Sequence, residues 1–179
     1  MSHRQLAGFG LACFAIGMGV QHVVAQSRQP VFSPDLLKNT NPREVAAALL
    51  DGAMQLAGSG SWERIAVGRA WYLGGDKARG QKILDDVTGS PRAVASDWFR
   101  VAKVYAEAGE WDKAAGTFDK AFEKSPRDDS GMNEAGALAN VHKDRKRAEA
   151  WFERAFQLNP REFWHWVNAG GSYLGVRPQ

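Results

Sequence analysis

The chain has 179 residues, the size of one domain, and 44% of them are hydrophobic, which suits a packed core and not a disordered chain. Its formal net charge of +3, from 23 basic and 20 acidic residues in mixed order, gives no footing for a nucleic-acid or anionic-membrane surface. The single cysteine, Cys13, excludes a disulfide framework or a cysteine metal site.

Residues 1–25 read as an export signal. Arg4 and the amino terminus supply positive charge, Leu6 to Val20 is an apolar run, and Val23-Val24-Ala25 offers small residues before a cut at Gln26. The alternative is a membrane anchor over residues 6–25, against which the run is short and contains Gly8, Gly10, Gly17 and Gly19. The expected location is therefore outside the cytoplasm, the periplasm in a bacterial cell, with no membrane attachment after cleavage. Residues 26–41, with Pro30 and Pro34, read as an extended lead-in with one helical turn from Ser33 through Lys38.

Asn41-Pro42-Arg43-Glu44 is a helix start. Asn41 caps the free amides, Pro42 suits the first helical position, and Glu44 reaches back as in a capping box. The same four residue types recur at Asn159-Pro160-Arg161-Glu162 and predict the start of the last helix. Helices are expected over 42–57, 61–73, 76–88, 92–107, 111–124, 130–141, 144–157 and 161–174. The breaks between them carry Gly58-Ser59-Gly60, Gly74-Gly75, Gly89-Ser90-Pro91, Gly109, Ser125-Pro126 and Lys143-Asp144. No stretch alternates as a strand would. Connections this short force antiparallel neighbours.

The helices come in pairs with a fixed period. In residues 95–128, Trp98, Val101, Ala102 and Tyr105 share one helical face, and Ala114, Phe118 and Ala121 share another. One period later Ala148, Phe152, Ala155 and Pro160 fall at the places of Ala114, Phe118, Ala121 and Pro126. One period earlier Val67, Gly68, Trp71, Gly80, Leu84 and Val87 fill the corresponding places. Half a period follows, with Trp166, Ala169, Gly170 and Tyr173.

This spacing resembles the tetratricopeptide repeat, W-x2-L-G-x2-Y then A-x3-F then Pro over ~34 residues. The resemblance implies an all-α fold, a right-handed superhelix or alpha solenoid of about three helix pairs, with a concave inner surface. The repeats would be 61–94, 95–128 and 129–162, between an N-terminal capping helix in 42–60 and a C-terminal capping helix and tail in 163–179. Trp71, Trp98, Tyr105, Phe118, Phe152, Trp166 and Tyr173 are expected in the core.

Chemistry is not expected. No H-E-x-x-H, cysteine pair or calcium loop supports a metal, and no glycine-rich phosphate loop supports a nucleotide cofactor. Gly58-Ser59-Gly60-Ser61 lacks the spacing and the preceding strand of a nucleophile turn. Lys143-Asp144-Arg145-Lys146-Arg147 reads as a solvated turn. The expectation is a non-catalytic protein without catalytic residues, metal or cofactor.

The resemblance also implies which residues line the groove. Carried over place by place, Trp62, Ile65, Arg69 and Tyr72 come from the first repeat, and Phe99, Arg100, Lys103 and Glu107 from the next. Asn133, Glu134 and Asn140 follow, then Trp164, Val167 and Asn168. Of these, Arg69, Tyr72, Phe99, Arg100, Lys103, Asn133, Asn140 and Trp164 are the expected peptide-binding set, with Phe99 as apolar anchor. One branch of the family grips a carboxylate with Lys and Asn at five set places. Here those places hold Ile65, Arg69, Arg100, Ser130 and Glu134, so that function is not carried over. The expected role is an exported adaptor for a protein or peptide partner. The rival is an assembly subunit, a homo-oligomer or part of an envelope complex, docking through the aromatic C-terminal helix.

Overall fold

The computed structural model describes residues 32–178, so the expected leader and the first part of the lead-in lie outside the described residues. A 3-10 turn, Pro34–Lys38, precedes eight α-helices and, among the described residues, no strand. The helices are α1 Pro42–Ala57, α2 Ser61–Leu73, α3 Lys77–Thr88, α4 Ala95–Glu107, α5 Trp111–Lys124, α6 Asp129–Val141, α7 Arg145–Leu158 and α8 Phe163–Tyr173. No described helix is long and apolar enough to cross a membrane.

Local chemistry sets most boundaries. Asn41 accepts the Arg43 amide at 3.1 Å and starts α1, while Glu44 bonds the Asn41 side chain, at 2.9 Å, and not its backbone. Asp76, Asp128 and Asp144 each accept the amide of the third residue of α3, α6 and α7. The turns before α3, α5 and α7 need a left-handed residue, supplied by Gly75, Gly109 and, at φ 68°, Lys143. Two expected starts move by more than one residue. α4 begins at Ala95 because Asp97 reaches back to the Val94 amide at 3.0 Å. α8 begins at Phe163, capped by Glu162; Asn159 instead ends α7, and its carbonyl meets His165 Nδ1 at 3.1 Å. Repeating four residue types therefore did not repeat the cap.

Adjacent helices pack as pairs, α2 with α3, α4 with α5 and α6 with α7, while α1 lies on α2, α4 also on α2, and α8 on α6. The small residues at the head of each second helix set the approach. Ala114 and Ala148 are fully buried, and at Gly80 a Cβ would stand 2.4 Å from the Tyr72 amide nitrogen. One hydrophobic core runs from Ile65 to Ala155. Phe118 stacks on Phe122 at 6.3 Å, and Trp151 meets both edge-on at 5.9 and 5.6 Å, which joins α5 to α7.

Of the rings expected in the core, Tyr105, Phe118 and Phe152 are buried. Trp71 and Trp98 are half-buried under Arg79 and Lys120. Trp166 and Tyr173 are corrections: they are 64% and 50% exposed, because no described helix follows α8 to cover them. Trp111, Phe122 and Trp151 take core roles that the repeat signature does not name. The period that aligns Phe118 with Phe152 also aligns Phe122 with Phe156, and that signal was open to reading.

Candidate functional site

The first helices α2, α4, α6 and α8 carry the expected groove residues, and the structure divides these into two sets. The fifth place of α2, α4 and α6 turns inward and not toward solvent, while in α8 that place, Val167, is 39% exposed. Ile65 is 5% exposed, Phe99 is half-buried and Asn133 is 0% exposed. Asn133 is thus removed from the expected peptide-binding set: its amide donates to the His165 carbonyl at 3.1 Å and ties α6 to α8. Phe99 is a wall of the core, edge-on to Phe118 at 5.1 Å and 6.3 Å from Phe122, and not a free anchor.

Tyr72 is a further correction. The turn before α5 folds over it, leaving it 4% exposed, with its ring 5.6 Å from Tyr105. Its hydroxyl donates to Glu110 at 2.8 Å, and burial together with that bond pushes the phenol far above its ordinary pKa. Glu110, held by Lys77 at 2.5 Å and by Tyr72, sits below the usual carboxylate range. Asn140 donates to Ser172 Oγ at 3.1 Å, a second tie from α6 to α8. Trp164, at the far end, is 48% exposed and packs edge-on to Phe163.

The other set converges. Arg69, Arg100 and Lys103 surround a cleft of about 210 Å³ between α2 and α4, floored by Ile65 and edged by Trp62. The Arg100 guanidinium lies 3.5 Å from the centroid of the Trp62 ring. This cation–π contact orders both side chains, although Trp62 remains 53% exposed. Arg69 pairs with both oxygens of Glu107, and this hydrogen bonding holds its guanidinium above the ordinary pKa. Lys103 pairs with Glu134 of α6 at 2.5 Å. Every cation of the cleft thus has a partner on the next first helix, or in Arg100's case on the preceding one.

The cleft therefore offers one apolar floor, one exposed indole, and three cations against two carboxylates. That arrangement can seat a side chain and orient an extended segment, but it presents no nucleophile–base pair. Among the described residues no group of three or more His, Cys, Asp and Glu is placed to hold a metal ion. A larger hollow of about 640 Å³ lies between the Pro126 turn and α7, open to solvent and remote from this cleft. Compared with known proteins, the chain matches no family model and no curated protein sequence.

Proposed function

We propose that the chain is a tetratricopeptide-type repeat protein, exported and non-catalytic. In this reading the three helix pairs wind into a right-handed superhelix and hold a protein or peptide segment along a concave face of α2, α4, α6 and α8. The cleft beside Trp62 carries the proposal, because three cations and an exposed ring from two successive first helices meet there over apolar Ile65. An extended segment would place an apolar side chain on Trp62 and Ile65 and an acidic group near Arg100, in competition with Glu107 and Glu134. The mutual pairing of those charges favours a segment of mixed charge over a purely acidic one.

The test is capture of partners from the native host by the exported chain, then the same capture with Trp62→Ala and Arg100→Ala. Each change should weaken retention of the specific partner by roughly tenfold or more, as for a central anchor residue, with helical circular dichroism unchanged. Capture indifferent to both changes would remove the groove from the account. A second reading, assembly through the C-terminal helix, is favoured by the exposure of Trp166 and Tyr173.

A further inference from the structure

By the internal period, α1 corresponds to the second helix of a pair and α8 to the first. Counting by the internal period, Ala46, Leu50 and Ala53 of α1 fall at the places of Ala114, Phe118 and Ala121 in α5, so α1 is a second-type helix. In α5 these three residues are 0%, 0% and 2% exposed. In α1 Ala46 is exposed, Leu50 and Ala53 are half-buried, and the helix has no buried residue at all. The described residues just before it hold only the 3-10 turn, where a first-type helix would stand.

α8 is the complement. Trp166, Ala169, Gly170 and Tyr173 fall at the places of Trp98, Val101, Ala102 and Tyr105. In the complete pairs, the residue at the place of Gly170 receives the large side chain of the following helix. A Cβ on Gly68 would stand 3.0 Å from Leu84 Cδ2, and one on Gly136 would stand 2.9 Å from Phe152 Cδ1. A Cβ on Gly170 meets nothing within 4 Å. The same socket exists there without its knob, rimmed by exposed Trp166 and Tyr173.

We infer that α8 of one molecule receives α1 of a second copy, Leu50 entering at Gly170, so that each junction completes one helix pair. The inference deepens the assembly reading and does not depend on the groove. The α3, α5 and α7 knobs, Leu84, Phe118 and Phe152, are already buried in their own pairs, which leaves α1 to supply one. The exposed aromatic area supplies a substantial part of an interface. At ~150–250 Å² per aromatic residue, the exposed parts of Phe163, Trp166 and Tyr173 offer on the order of 350 Å². That is approaching half of the ~800 Å² buried per partner in a standard interface, and Leu174 and Val176, 84% and 58% exposed, extend the surface. The contact is head-to-tail, so each added copy leaves one end open.

Sedimentation of the chain over a wide concentration range tests this. The weight-average mass should climb past the dimer without a plateau. Gly170→Leu fills the socket and Ala46→Glu charges the knob face; both sites are open in the monomer, so both variants should fold. Each alone should associate at least roughly 30-fold more weakly, as for loss of an interface hot spot. Mixed in equal amounts they should form a dimer and stop there, because each retains one working end. A wild type that stays monomeric overturns the inference, and so does a mixture that stays monomeric. A dimer lost with Gly170→Leu but kept with Ala46→Glu replaces it by pairing of α8 with α8. Loss of association with partner capture intact would leave the groove reading standing.

Discussion

Arg69 on α2 and Glu107 on α4 are 38 residues apart in the chain and meet side by side in the cleft, Nε to Oε2 at 2.6 Å. The two side chains are 50% and 38% exposed, so solvent screens the pair, and its net contribution to stability is within about 1 kcal/mol. If the proposed groove holds a segment there, its effect on recognition is larger, because it occupies a guanidinium that would otherwise face that segment. Glu107→Gln should leave denaturant melts within about 0.5 kcal/mol of wild type. It should also tighten binding of an acidic peptide and steepen the loss of that binding with salt. A large loss of stability would mark the pair as a structural tie between α2 and α4.

Core weight should follow burial and not place in the repeat signature. Phe118 is 0% exposed and touches Phe99, Phe122 and Trp151, so Phe118→Ala should cost on the order of 3–5 kcal/mol through the cavity it leaves. Trp98, half-buried beneath Lys120, should cost less when truncated, although it holds the signature's first place. Chemical denaturation of both variants decides the order. Equal losses would contradict the burial seen here.

Glycines of α5 and α6 should respond to alanine with opposite sign. At Gly136 a Cβ lands 2.9 Å from the Phe152 ring, so Gly136→Ala must push α6 from α7 and should destabilise. At Gly116 nothing lies within 4 Å, and Gly116→Ala should stabilise by up to about 1 kcal/mol through helix propensity. Melting temperatures measured side by side would show the two shifts.

Acid should loosen the start of α7. Asp144 accepts from Trp111 Nε1 at 2.9 Å and from the Arg147 amide at 3.2 Å, and these bonds hold its pKa below the ordinary value. The folded state therefore binds fewer protons here than the unfolded chain. The resulting stabilisation is complete above the unfolded aspartate pKa, about 3.9, and is lost as pH falls through the lower folded value. Asp144→Asn should lower stability at neutral pH and flatten its fall below about pH 4. A pH series of melts in which the variant falls as steeply as wild type would show that Asp144 contributes nothing to the acid limb.

The sequence by itself determined the helices and their pairing, because those depend on neighbours three and four residues away. Trp98-Val101-Ala102-Tyr105 and Ala114-Phe118-Ala121 mark faces, and Asn41, Asp76, Gly109 and Asp144 mark ends, through interactions closed within one turn. The resemblance to the repeat implied in addition that Arg69, Arg100, Lys103 and Trp62 face one groove. What covers a face is a longer-range matter, and only the tertiary structure decided it. Asn133, Phe99 and Tyr72 sit at the same kind of place as their exposed neighbours. Asn133 and Tyr72 are buried and Phe99 half-buried because α8, the turn at Glu110 and α5, in that order, lie over them. Trp166 and Tyr173 carry the letters of a core and remain 64% and 50% exposed, with Phe156 and Phe152 of α7 against one side of each, because a helical face is buried only where another element packs against it.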